Sequence, residues 1–312
     1  MYLPREISRL GFLECLKVSL YGYGRSYREG KKIHKRIPTG LLASLYVLKV
    51  VSIDVNPDDD ERIADIKDVA NELLFLRTLM TVKLYFPEVG LLKVFTSVQN
   101  FKFTVGHQKQ CIISYLPHEV EEEFEKQENY LKYRNGKYIP IEIQNALKYT
   151  CAFFLERHWT VKKLSELGNE NMVELKFCLL VECNELQTII DGGEFCTGGE
   201  SGVDKKNRLK EISLLDLPEL VSISSCLCIA PKLERIIIYA CPMLERLSPM
   251  ELSSNNLKVI KGEIEWWDSL KWHEFEWSGR QDYRASIFVE LERDASLMDQ
   301  LAESGNSLQG KI

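Results

Sequence analysis

A chain of 312 residues, 45% hydrophobic and 28% charged, has the apolar material for a substantial core and is neither disordered nor fibrous by composition. Its net charge of -6 and pI near 5.6 exclude a generic nucleic-acid surface, which needs basic patches to neutralise phosphates. Nine cysteines, several on apolar positions, point to a reducing compartment. The first thirty residues hold no signal-peptide core, no stretch is long enough to cross a bilayer, and no N-x-[ST] acceptor occurs. A cytoplasmic protein with no membrane span and no nucleic-acid partner is expected.

One pattern recurs along the chain and is plainest late in it. Leu209, Ile212, Leu214, Leu217, Leu220 and Ile223 are matched 24 residues later by Leu233, Ile236, Ile238, Cys241, Leu244 and Leu247. The frame L-x-x-L-x-L-x-x-[LC]-x-x-L is that of a leucine-rich repeat, in which each copy contributes a short strand with one buried and one displayed face. In chain order, a first copy is expected at 3–18, with no polar cap ahead of it, so a preceding module is expected. A basic loop, 25–36, leads to a second copy at 37–56, where Asn56 takes the place of Cys or Leu. A helix over 64–75 and strands around Leu84 and Phe103 follow. From 107 to 138 the frame lapses, and Glu119–Glu128 carries six glutamates to one lysine, expected as a solvated helical insertion. Copies resume around Phe154 and Leu180, a glycine-rich loop spans 191–208, and the two plain copies come next. A last partial copy at Leu257 and Val259 leads into EIEWWDSLKWHEFEW, with a polar tail from 278 and a short helix expected around 291–301.

The fold class expected is therefore α/β: an irregular leucine-rich-repeat solenoid over 1–277, with parallel strands on a concave face and helical or irregular segments on the convex face. Spacings of 19 to 51 between central strand residues predict a horseshoe of variable pitch.

No catalytic, cofactor or metal site can be assembled from the residues. Gly24-x5-Gly30-Lys31-Lys32 is one residue too long for a phosphate loop and lacks its Ser or Thr. Gly199-Glu200-Ser201-Gly202 has no strand leading into it. Cys178 and Cys183 resemble zinc ligands, as do Cys226 and Cys228, but Cys178 and Cys183 fall on inward positions of the frame and read as core. Five histidines (His34, His107, His118, His158, His273) are scattered. Trp266, Trp267, Trp272 and Trp277 read as cover for the end of the stack, or as a binding cluster.

Between the inward residues lie the positions expected to be displayed. Lys83, Tyr85 and Lys102 come early in the stack; Phe177, Leu179, Val181, Glu211, Ser213, Leu215, Arg235, Ile237 and Tyr239 come late. Strands stack at about 4.8 Å, so these residues should form columns, polar and basic first, then apolar. An exposed apolar patch of that kind marks a protein interface; the alternative is that the insertions fold over it. On the first view, Glu at positions 237 and 239 should abolish partner binding without unfolding the stack.

With the copies placed, the chain resembles the leucine-rich-repeat region of plant intracellular nucleotide-binding disease-resistance proteins of the coiled-coil class. The residues that carry the resemblance are SIDVNPDDDER (52–62) with KLYFPEV (83–89), AFFLERHWTVKKLSELGNENMVELKFCLLVECNELQTIIDG (152–192), and LKVIKGEIEWWDSLKWHE (257–274). The resemblance implies innate-immune sensing of a pathogen effector or a guarded host protein, and autoinhibition of an adjoining nucleotide-binding module. It implies no enzyme activity, and since no coiled-coil segment or phosphate loop is present, ATP or ADP binding is not carried over. A truncated receptor or a fragment is expected; the alternative is a free-standing scaffold or substrate-recognition adaptor.

Overall fold

A computed structural model describes residues 3–20, 36–55, 63–94, 98–107, 124, 126–190, 208–224, 232–245, 247, 256–271 and 286–291. In chain order the strands are β1 (Cys15–Ser19), β2 (Val50–Asp54), β3 (Thr81–Phe86), β4 (Asn100–Val105), β5 (Tyr130–Arg134), β6 (Ala152–Glu156), β7 (Phe177–Val181), β8 (Thr188–Ile190), β9 (Glu211–Leu215), β10 (Ser222–Ser224), β11 (Arg235–Tyr239), β12 (Val259–Gly262) and β13 (Phe288–Glu290). All but β8 and β10 form one parallel sheet of eleven strands, each beside its sequence neighbour; β8 and β10 pair parallel in a second, small sheet. Among the described residues the helices are α1 (Ile63–Leu73), α2 (Ile141–Leu147) and α3 (Ile264–Ser269), with short 3-10 turns elsewhere along the chain. The protein is thus α/β with a large open parallel sheet and a solenoid-like course.

Register follows the sequence frame where the frame is plain. Ile212 pairs with Ile236 and Leu214 with Ile238, so the 24-residue offset becomes one step across the sheet. Leu180 pairs with Leu214 and Thr188 with Ser222, so one 34-residue offset sets both sheets. The inward residues Leu42, Leu45, Val51, Val82, Leu180, Cys183, Leu186, Leu214, Leu217 and Leu244 are buried in a single continuous core. Backbone hydrogen bonds tie successive copies at strand entry: Cys151 O accepts from Lys176 N and Phe177 N at 2.8 and 3.0 Å, and Lys176 O accepts from Lys210 N and Glu211 N at 2.8 and 3.1 Å.

Strand exits repeat a second device. Arg157, Glu182, Asp216 and Ala240 take left-handed conformations, with φ of 54°, 52°, 51° and 51°. That conformation aims the N–H of Arg157 at Val181 O (2.9 Å), of Glu182 at Leu215 O (3.1 Å) and of Asp216 at Tyr239 O (2.9 Å). Each such residue costs roughly 1 kcal/mol or more, offset by a hydrogen bond worth about as much.

Three expectations are corrected. The stretch 107–138 contains β5, which pairs with β4 and β6. Strand β6 runs one residue out of the expected phase: Phe153 and Leu155 pair with Cys178 and Leu180 and face the core, so Phe154 points the other way. A one-residue slip inverts every side chain of a strand, and AFFLE, apolar at four successive positions, gives the phase no anchor. Finally, the sheet passes the boundary expected at 277, because β13 pairs with β12. The loops at 25–35 and 191–207, Asn56, Cys226, Cys228, Trp272, Trp277 and the helix expected around 291–301 lie outside the described residues, apart from Leu291 itself.

The tryptophan segment closes on β13. Trp267 stacks on Phe288, centroids 4.5 Å apart and rings 15° from parallel, and Trp266 Nε1 donates to Leu244 O at 2.9 Å. This close approach requires Gly262, where a Cβ would stand 2.9 Å from the Trp266 ring.

Candidate interaction surface

The face of the sheet turned away from the main core is built by the alternate residues of each strand. One column runs Lys17, Ser52, Lys83, Lys102, Tyr130, Ala152, Phe177, Glu211 and Arg235. The next passes through Thr104, Lys132, Phe154, Leu179, Ser213 and Ile237. A third carries Arg134, Glu156, Val181, Leu215 and Tyr239. The early strands β1 to β4 alternate apolar and polar residues, so their outer side chains are left at the surface: Lys17 and Lys83 are exposed and Lys102 is half-buried.

The late columns are not displayed as expected. Leu179, Val181, Leu215 and Ile237 are 2% exposed or less, and Ser213 is fully buried. They form a second apolar cluster with Tyr130, Ala152, Phe154, Phe124 and Leu291, with Phe177 and Tyr239 half-buried at its edge. Phe124 comes from the β4–β5 connection and Leu291 follows β13. The insertion alternative therefore describes this half of the face, and substituting Glu at position 237 would attack the fold before any interface. Tyr85 is buried too, against the main core. Glu211 is buried with its carboxylate 3.3 Å from the guanidinium of half-exposed Arg235. Of the residues expected to be displayed, Lys83, Lys102, Phe177, Arg235 and Tyr239 keep surface, and they line the two ends of the buried patch.

Between the basic and apolar halves sits an ionic group that the frame did not reveal. Glu156 accepts from Arg134 Nε at 2.8 Å and stands 3.2 Å from Lys132 Nζ, which lies 3.9 Å from the Phe154 ring centre. Burial pushes the Glu156 carboxyl up, but Lys132 and Arg134 outweigh it and hold it below the ordinary carboxylate value. Glu156 and Lys132 are both buried, so the group stands or falls together. Its signal in the sequence was a charge ending each of YLKYR and AFFLE, visible only once β5 is recognised.

Along the strand exits a second charged row forms. Arg157 pairs with Glu182 through two hydrogen bonds. Asp216 stands beyond them, its carboxyl pushed up to about 6 by burial and then by Glu182 and Glu263; Glu263 also accepts from Ala240 N at 2.9 Å. His158 is buried; Val161 N donates to its Nδ1 at 3.1 Å, and its Nε2 lies 3.3 Å from Tyr138 O. Burial holds its pKa below the usual value, against the Tyr138 carbonyl and Glu166.

Cys178 and Cys183 lie fully buried in the core, and burial raises both thiols, Cys183 to about 12. Cys241 is also raised to about 12 by burial, with Sγ 3.4 Å from Tyr239 O and 3.5 Å from Leu214 O. Thiols in that state are packing groups, not nucleophiles or ligands. Among the described residues no helix is long and apolar enough to cross a membrane, and no cluster of His, Cys, Asp and Glu has the arrangement of a metal site. No family model matches the chain, and no curated protein matches it.

Proposed function

We propose that the chain is the leucine-rich-repeat sensing region of a plant intracellular disease-resistance receptor of the coiled-coil, nucleotide-binding class. It acts in the cytoplasm by protein–protein contact, recognising a pathogen effector or a guarded host protein, and it holds an adjoining nucleotide-binding module inactive. The reading assigns it no reaction and no cofactor. The observation that carries it is the parallel sheet whose far face keeps a basic, accessible column at Lys17, Lys83 and Lys102 beside an apolar one, with strand register set by the repeat frame. The stretches at 52–62, 152–192 and 257–274 supply the family resemblance.

The test is co-expression with a nucleotide-binding module of that receptor class. Binding in trans with suppression of that module's signalling is expected, and Lys17→Glu with Lys83→Glu should weaken partner capture at least tenfold while the chain stays folded by circular dichroism. Absence of both binding and suppression sinks the reading.

A further inference from the structure

Two neighbouring strand exits carry aromatic rings that the stack does not use. The turn after β5 is bolted to the turn after β6: Trp159 N donates to Gly136 O at 2.9 Å, Thr160 Oγ1 donates to Lys137 O at 2.8 Å, and buried His158 places its Nε2 3.3 Å from Tyr138 O. Tyr133 braces the same turn from below, its hydroxyl donating to Tyr138 O at 2.9 Å, and a Cβ on Gly136 would stand 2.6 Å from its ring. On this fixed base Tyr138 is 69% exposed and Trp159 52%, with Ile141 59% exposed at the head of α2. At the position of Trp159 the later copies carry Asn184, Pro218 and Pro242, all exposed, so folding asks for no aromatic ring there. The charge around the rings is also out of keeping with the chain. Residues 131–166 hold seven Lys and Arg against three Asp and Glu, in a protein of net charge -6. Lys132 and Arg134 balance Glu156, and Arg157 balances Glu182. Glu166 turns one carboxylate oxygen to the amides of Lys162 and Lys163, 3.0 Å from each, and Glu142 is half-buried in the first turn of α2. Lys137 and Lys162 are exposed and have no ion pair among the described residues.

We infer that the paired turns after β5 and β6 dock the protein reversibly on an anionic lipid surface. Trp159 and Tyr138 seat at the level of the headgroups, where rings with an apolar body and a polar edge gather, and Ile141 reaches the acyl boundary. Lys137 and Lys162 draw the edge to acidic headgroups; each lysine close to such a surface raises binding about fivefold. The attraction is local, because charges more than about 8 Å away are largely screened at physiological salt, so the acidic remainder of the chain does not cancel it. Five side chains fall short of the roughly 20–30 residues a side that a stable protein interface engages, whereas a few rings beside unpaired lysines are what a peripheral anchor uses. The turns are held rigid before contact, so little ordering cost opposes docking. The inference concerns a different edge from the far face of the sheet and does not depend on the sensing role.

The experiment is co-sedimentation of the full chain with extruded vesicles, of phosphatidylcholine alone or of phosphatidylcholine and phosphatidylserine in equal parts. The wild type should sediment with the mixed vesicles and stay in solution with the neutral ones, and raised salt should release it. Lys137→Glu with Lys162→Glu should weaken binding at least tenfold and Trp159→Ala at least fivefold, while Lys17→Glu with Lys83→Glu, the same change of charge on the far face, leaves it unaltered. All these side chains are exposed, and circular dichroism checks the fold. Should Trp159→Ala fail to fold, Trp159→Asn installs the residue type that the next copy carries at 184 and must weaken binding likewise. A wild type that ignores the mixed vesicles, binds the neutral ones equally, or loses as much to the far-face pair as to the turn pair overturns the inference; so does undiminished binding by either turn variant. Capture of an acidic protein through Lys137 and Lys162 by a chain that ignores vesicles also overturns it, and makes the turns a protein site. Failure on vesicles leaves the sensing reading standing, because partner capture through Lys17 and Lys83 tests that reading separately.

Discussion

Asp216→Asn should stabilise the protein near neutral pH and do nothing near pH 4. Asp216 ends β9 in a left-handed conformation that Asn tolerates well, so the exchange keeps the backbone and the volume. What changes is a carboxylate that burial, Glu182 and Glu263 hold at about 6, where an ordinary aspartate titrates near 3.8. That gap corresponds to roughly 3 kcal/mol for a wholly buried group. The side chain is only half-buried and water screens it, so about 1–1.5 kcal/mol is the fair expectation. The sign follows from linkage: between pH 4 and 6 the native state binds more protons at this site than the unfolded chain, so wild-type stability falls as pH rises. Asn cannot ionise, and the variant escapes that fall.

Urea unfolding of both proteins at pH 4, 5, 6 and 7.5 would measure this, provided the slope against denaturant is the same for the two. Taking the difference between the proteins removes groups that titrate alike in both, among them His158, whose lowered pKa has the opposite effect: protonation costs stability as pH falls. The stability gap should open between pH 4 and 6 and then level off. A gap constant in pH, or one that closes as pH rises, refutes the assignment of the strain to Asp216.

Ser213→Ala should raise stability by about 1 kcal/mol in the same assay, because Ser213 Oγ is buried in the apolar cluster without a hydrogen-bond partner among the described residues. Glu156→Gln should lower it by about 3 kcal/mol, since Lys132 and Arg134 then share a buried site with no carboxylate; Lys132→Met, which leaves the Arg134–Glu156 bond, should cost clearly less. Gly262→Ala should cost about 1–3 kcal/mol and change tryptophan fluorescence, because its Cβ would press on the Trp266 ring. Ile237→Ala should lower the urea midpoint by the equivalent of about 2–5 kcal/mol, against almost no change if this side chain were displayed to solvent.

How much could be read in advance depended on whether a strand alternates. In LKV of β1, VSI of β2, VKL of β3 and FKF of β4, a polar residue between two apolar ones fixes both phase and facing. In FCLLV of β7, ISLL of β9 and III of β11 the apolar run is nearly unbroken, and unbroken runs are what parallel strands buried on both faces look like. Leu179 and Ile237 could thus have been read as covered, though nothing near them names the cover. Phe124 is a lone aromatic inside a run of glutamates, which local pattern alone assigns to solvent. Strand β5 hid because its inward pair is Leu131 and Tyr133, and a tyrosine on an inward position scores as polar until its hydroxyl is seen donating to Tyr138 O at 2.9 Å. The left-handed exits at Arg157 and Glu182 carry no Gly or Asn to announce them. Tertiary hydrogen bonds impose that conformation, and only the neighbouring strand reveals it.

Two-sided burial also sets where recognition can be tuned. A substitution at Leu215 or Ile237 disturbs the stack itself, because those side chains pack under Phe124 and Leu291; their identity is constrained by folding. Lys17 and Lys83 are exposed, Lys83 in a solvent-accessible ion pair with Asp54 at 2.8 Å, so charge there can change at small cost to stability. The early strands therefore present the part of the face that is free to vary, while the late strands are fixed by their own packing. On the proposed reading of this face as a protein-binding surface, the lysines act mainly through association rate, and their effect falls with salt. Charge reversal at Lys83 should consequently slow association with a captured partner more than it hastens dissociation, when both rates are followed by surface plasmon resonance.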